Sequence, residues 1–69
     1  MKFTGIIKHA RIIQYPGTNW ARVTGRIYND IHERFRDGTQ IGTSRVVLVV
    51  GDVVYTRNSV YKVEWSPNG

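Results

Sequence analysis

Between Trp20 and Tyr28 the chain alternates Arg22, Thr24 and Arg26 with Ala21, Val23, Gly25 and Ile27. Successive side chains of a strand point to opposite sides. Trp20, Arg22, Thr24, Arg26 and Tyr28 therefore share one face, and the small apolar residues share the other. Guanidinium donates two parallel hydrogen bonds to phosphate and also stacks on rings and bases. If the strand runs in phase through Arg36, then His32, Arg34 and Arg36 join that face. It could then attract a polyanion and stack a base, as single-strand and nucleotide-binding β modules do. The same pattern also describes the solvated face of an antiparallel strand, with Trp20 and Tyr28 covering a barrel end or packing on a second subunit. A bulge at Asn29-Asp30 would flip the phase and send Arg34 and Arg36 elsewhere.

Thr56-Arg57-Asn58-Ser59 is a second polar cluster, flanked by Tyr55 and Tyr61. Its amides, hydroxyls and Arg57 could converge on one phosphate or carboxylate, or Asn58 and Ser59 could simply turn the chain by bonding their own backbone. Catalytic chemistry has poorer material. The acids are Asp30, Glu33, Asp37, Asp52 and Glu64, with Asp37 and Asp52 beside turn glycines. His32 precedes Glu33, but the position one helical turn later is Arg36, so no zinc helix motif forms. His9 reads as a surface or half-buried residue, and no serine sits in a glycine elbow. These residues assemble no reaction mechanism, and the expectation is a noncatalytic binder without cofactor or metal.

The elements that position these residues are strands. Val, Ile, Thr, Tyr and Trp dominate, with two alanines and one leucine in the whole chain, which leaves little for a helix. A first strand spans Lys2 to Gln14, bent at Gly5 or near His9. Tyr15-Pro16-Gly17-Thr18 suits a type II turn. The Trp20 to Tyr28 strand follows, then an extended piece from Ile31 to Arg36, with a helix over Asn29 to Arg36 capped by Asp30 as the alternative. Asp37-Gly38 signals a type I′ hairpin into Thr39 to Thr43. Arg45 to Val50 reads as a core strand buried on both sides, and Gly51-Asp52 turns it into Val53 to Thr56. After Asn58-Ser59 the last strand is Val60 to Trp65, and Ser66 to Gly69 fray. Short strands and tight turns imply one all-β domain over 1–69, an antiparallel meander curling into an SH3-like or OB-like barrel or a strongly bent sheet.

Composition limits the partners. Ten Lys+Arg against five Asp+Glu give a net charge of +5, and seven of the ten are arginine. A hydrophobic content of 41% belongs to a folded chain. A domain of 69 residues buries only about 60% of its unfolded surface, so its core is thin and a homo-oligomer is expected. The absence of cysteine removes disulfides, thiolate nucleophiles and cysteine zinc sites, and suits a reducing cytosol. The longest apolar run, Val46 to Val50, is far short of a membrane span, and Met1 to Ala10 lacks the continuous apolar segment of an export signal.

Asp37-Gly38-Thr39 with Ile41 and Thr43-Ser44, then Thr56-Arg57-Asn58-Ser59-x-Tyr61 beyond a valine-rich strand, resembles a pattern in small uncharacterised proteins of tailed bacteriophages. The resemblance covers about Phe35 to Trp65 and carries no catalytic residues. It implies a small accessory protein in the cytoplasm of an infected bacterium, where such proteins sequester nucleotide signals or inhibit host enzymes and defence systems. The expected ligand is nucleic acid or a nucleotide, bound by Trp20, Arg22, Arg26, Tyr28, Arg34, Arg36 and Arg57, since a positive chain repels a basic host surface. The alternative is an inhibitor that grips a host protein through Tyr15, Trp20, Tyr28 and Trp65.

Overall fold

The computed structural model describes residues 2–67. Six strands follow in chain order: β1 (Gly5–Gln14), β2 (Ala21–Tyr28), β3 (Thr39–Gly42), β4 (Val46–Val50), β5 (Val53–Thr56) and β6 (Val60–Trp65). Among the described residues there is no helix, and so none long and apolar enough to cross a membrane. All six strands lie in one sheet, ordered β3-β2-β1-β6-β5-β4.

The sheet is mixed, which corrects the expected antiparallel meander. β1-β2-β3 and β4-β5-β6 are each antiparallel, but β1 and β6 meet in the middle as a parallel pair, Ile7 opposite Val63. The two edge strands, β3 and β4, are joined by residues 43–45 alone. So short a link between opposite edges requires the sheet to curl. Thr43 holds the curl: its N–H donates to Val23 O at 2.9 Å, and its Oγ1 accepts from Val23 N–H at 3.0 Å. Arg57 N–H also donates to Arg45 O at 2.9 Å. β3 and β4 share no ladder, so the sheet is not closed into a barrel.

The concave side holds the core: Ile7, Ala10, Val23, Ile27, Val54, Tyr61 and Val63. β2 alternates as its sequence requires, with Ala21, Val23, Gly25 and Ile27 buried and the residues between them less so. In β1 the alternation is interrupted. Lys8 faces Arg26 and Arg11 faces Thr24, so His9 and Ala10 bulge opposite Gly25, and His9 takes φ 55. Gly25 is required for space: a Cβ there would meet Ile7 Cγ2 at 2.5 Å and Lys8 O at 2.7 Å. The bend expected near His9 is this bulge.

Three expectations are overturned. Val46–Val50 is not buried on both sides. It is an edge strand, with Val47, Leu48 and Val50 each more than half exposed. Residues 29–38 form neither strand nor helix. Asp30 is buried there and organises the segment, its two carboxylate oxygens accepting from His32 N–H at 3.1 Å and Arg34 N–H at 3.0 Å. Asp37-Gly38 accordingly is not a two-residue hairpin, because residues 31–36 form no strand and β3 pairs with β2 across the whole 29–38 segment. Thr39 N–H bonds Arg36 O at 3.1 Å across a turn in which Gly38, at φ 88, has the positive angle while Asp37 does not. That is the angle pattern of a type II turn and not of type I′.

The other turns follow the sequence. Thr18 N–H bonds Tyr15 O at 3.2 Å with Gly17 at φ 76, and Gly51-Asp52 link Val50 directly to Val53. Ser66, expected to fray, donates its N–H to Ala10 O at 2.9 Å; Asn68 and Gly69 lie outside the described residues.

Candidate functional site

The register of β1 against β2 assembles a basic surface on the convex side. Arg22, Thr24, Arg26 and Tyr28 point away from the core, and their cross-strand partners are Ile13, Arg11, Lys8 and Ile6. Lys8, Arg11, Arg22 and Arg26 thus share one face of two adjacent strands. Lys8 and Arg26 are direct neighbours across the ladder, an arrangement that costs stability because like charges sit about 5 Å apart at the Cβ level. Glu64 of β6 occupies the rung on the other side of Lys8, but the Lys8 ammonium leans over the Tyr28 ring, 5.0 Å from its centroid. Arg26 is exposed and spends one donor on Gly38 O at 3.1 Å. It retains further N–H groups for an acceptor.

Arg22 stands at the other end of β2. Its guanidinium lies 5.7 Å from the Tyr15 ring, and its buried Nε has no hydrogen-bond acceptor. Tyr15 meets Trp20 edge to face at 6.1 Å, and Trp20 in turn lies 5.7 Å from the Arg45 guanidinium. The Tyr15–Trp20 ring pair therefore lies between two guanidiniums, Arg22 at one end and Arg45 at the other. This run ends at a shallow cleft of about 420 Å³ lined by Asn19, Arg45, Val46, Val47 and Arg57.

The expected site residues consequently divide. Arg22 and Arg26 keep the common face with Tyr28, and Lys8 and Arg11 join them. Arg57 lines the Arg45 cleft, and Trp20 adjoins it through its contact with Arg45. Arg34 leaves the row because the segment after Tyr28 is not a strand. Its Nε pairs with Asp30 Oδ2 at 3.3 Å and its guanidinium lies 5.4 Å from the Phe35 ring. Asp30, and after it Tyr61, hold this guanidinium protonated above its ordinary value. Burial pushes the Asp30 carboxyl up, but the His32 N–H and the side chain and N–H of Arg34 outweigh it, leaving the pKa below 3.8. Arg36 is exposed beside an open cleft of about 650 Å³ whose lining also includes Glu33, Asp37 and the buried Asp30 with its partner Arg34. With Arg34 neutralised by Asp30, two carboxylates against the one guanidinium of Arg36 make that cleft a poor home for an anion.

The Thr56–Ser59 amides do not form a phosphate cradle. Thr56 N–H bonds Ser59 O at 2.8 Å, Arg57 N–H is taken by Arg45 O, and Ser59 N–H bonds Thr56 Oγ1 at 3.1 Å. The cluster is a turn. Nor do the four aromatics named for a protein contact make one patch. Tyr15 and Trp20 touch, while Tyr28 lies under Lys8 and Trp65 Nε1 donates to Gly51 O at 3.1 Å. Among the described residues no three His, Asp or Glu side chains gather as they would around a metal.

Lys8, Arg11 and Arg45 are the additions that sequence reasoning missed. The signal for the first two was present: a bulge at His9 puts Lys8 and Arg11, three positions apart, on one face. Arg45 carries no local signal, since only the curl of the sheet brings it to Trp20. Comparison with models of known protein families, with curated proteins and with solved structures finds no match.

Proposed function

We propose that this protein is a noncatalytic binding module for a polyanionic ligand, nucleic acid or a nucleotide, which lies across the convex face of β1 and β2. The observation that carries this reading is Lys8 directly opposite Arg26, with Arg11 and Arg22 on the same face. A cross-strand pair of like charges destabilises the isolated sheet, and a phosphate between them turns that repulsion into two attractions. Arg22 and Arg26 supply forked donors, Lys8 and Arg11 add charge, and Tyr28 offers a ring beside the cations. The Tyr15–Trp20 pair, with Arg45 and Arg57 beyond it, extends the track for a strand longer than the first face can hold. The curled sheet serves as an OB-like platform that does not need closure to present this face. The setting we propose, the cytoplasm of a phage-infected bacterium, rests on the resemblance of Phe35 to Trp65 alone.

Fluorescence anisotropy with labelled single strands, duplexes and cyclic dinucleotides at low salt tests the reading. Binding to at least one probe, weakened at least tenfold in the folded Arg22→Ala/Arg26→Ala double variant, is the expected result. Unchanged binding by that variant moves the site elsewhere, and no binding to any probe overturns the proposal.

A further inference from the structure

Building on the polyanion site proposed above, we infer that the cleft between Arg45 and Arg57 takes a phosphate monoester, the terminal phosphate of the strand that lies on β1 and β2. Val46 stands opposite Thr56 in the β4-β5 ladder, and the pairing runs one step further, Arg57 N–H donating to Arg45 O at 2.9 Å. Arg45 is therefore directly opposite Arg57, and residues so placed project from the same face of a sheet. Thr56 is buried, whereas both arginines are exposed. The ion pairs among the described residues are Arg34 with Asp30 and Lys62 with Asp52, so neither Arg45 nor Arg57 has a carboxylate partner there. Like charges directly opposite each other destabilise a sheet, and a doubly charged anion between these two would offset that cost.

The cleft suits such a ligand. It measures about 420 Å³ and is lined by Asn19, Arg45, Val46, Val47 and Arg57. A regular strand would send Val46 and Val47 to opposite faces. The register shift between Val46 and Leu48 makes Val47 a bulge, and both valines line the cleft, as a bulge that re-aims a side chain allows. An apolar wall with a few convergent polar groups is the usual composition of a small-ligand site. The polar side chains here are two guanidiniums and the Asn19 amide, all of which donate hydrogen bonds, and none is an acid. Trp20 packs against the Arg45 guanidinium, 5.7 Å from ring centroid to carbon, and so holds it beside the cleft.

Charge and position favour a terminal monoester over an internal diester. A phosphate monoester carries about −1.5 to −2 at neutral pH, against one charge for each phosphate within a strand. Two opposed guanidiniums match the higher charge. Beyond the cleft, residues 46–50 contain no charged side chain, so a backbone running on along β4 would leave its phosphates without cations. The track that starts at Lys8 and Arg26 stops at Arg45 and Arg57, and the end of the strand belongs where the track stops.

Fluorescence anisotropy with three short single strands of one sequence, labelled internally, tests this: one with hydroxyls at both ends, one with a 5′-phosphate and one with a 3′-phosphate. The parent should bind one phosphorylated strand at least about fivefold tighter than the hydroxyl-ended strand. Arg45→Gln/Arg57→Gln should bring that ratio to about one while keeping the parent's circular dichroism, and Arg57→Gln alone reads the same ratio if the double variant does not fold. Arg22→Ala/Arg26→Ala should weaken all three strands and keep the ratio. Equal affinity of the parent for all three strands overturns the inference, and leaves the β1–β2 site standing if Arg22→Ala/Arg26→Ala still weakens binding. A ratio that survives the loss of Arg45 and Arg57 overturns it too. Binding to none of the strands removes both the terminal site and the site on which it rests.

Discussion

Gly25→Ala tests the bulge that brings Lys8 and Arg11 onto the basic face. The added Cβ would lie 2.5 Å from Ile7 Cγ2, 2.7 Å from Lys8 O and 3.2 Å from Ala10 Cα. Non-bonded carbons rest about 3.5–4.0 Å apart, so the methyl overlaps Ile7 by roughly 1 Å. Ile7 is fully buried and Lys8 O belongs to the backbone at the bulge, so neither can withdraw without moving the ladder. Overpacking of this kind costs about 1–3 kcal/mol, out of a total stability of roughly 3–10 kcal/mol for a chain of this length. At about 4–8 °C per kcal/mol, a cost near 2 kcal/mol lowers Tm by about 8–16 °C. Circular dichroism melts of Gly25→Ala and Gly42→Ala make the comparison, because a Cβ at Gly42 meets nothing closer than 3.5 Å. Gly42→Ala should melt near the parent. If both variants melt alike, the His9 bulge and the register derived from it are wrong.

Three further outcomes are expected. Asp30→Asn removes a buried carboxylate that accepts from His32 N–H, Arg34 N–H and Arg34 Nε, and should cost about 1–3 kcal/mol in urea unfolding at neutral pH. Because the folded pKa of Asp30 lies below its ordinary 3.8, its stabilisation is present above that value and is lost as pH falls through the folded pKa. The parent's advantage over Asp30→Asn should therefore shrink between about pH 5 and pH 2, and a gap constant over that range would contradict the assignment. Arg34→Ala should lower stability yet leave polyanion affinity within about twofold of the parent, because its guanidinium is held by Asp30; a large loss of binding would return Arg34 to the site.

How much was legible in the sequence depended on where each strand's partners lie. β2 was readable because small apolar and long polar residues alternate from Ala21 to Tyr28, and β5 and β6 because turn residues bound them tightly. β4 was misread for a physical reason. Val46-Val47-Leu48-Val49-Val50 records β propensity without alternation, and whether such a run is central or at an edge depends on partners that local sequence does not name. The 29–38 segment failed differently. Ile31, Glu33 and Phe35 alternate with His32, Arg34 and Arg36, but Asp30 gathers two backbone N–H groups and one guanidinium and so outcompetes an extended ladder. The basic face was half legible. Arg22 and Arg26 follow from parity, whereas Lys8 and Arg11 join them only through the bulge at His9.

The central claim, that Lys8, Arg11, Arg22 and Arg26 act together on phosphate, is tested most directly by the salt dependence of single-strand binding. Each phosphate neutralised on a single strand contributes about −0.7 to the slope of log K against log salt, so one phosphate shared by Lys8 and Arg26 and one each at Arg11 and Arg22 predict roughly −2.1, and the Arg22→Ala/Arg26→Ala variant, which keeps Lys8 and Arg11, roughly −1.4. A slope near zero in the parent, or one that the double substitution leaves unchanged, would contradict the account.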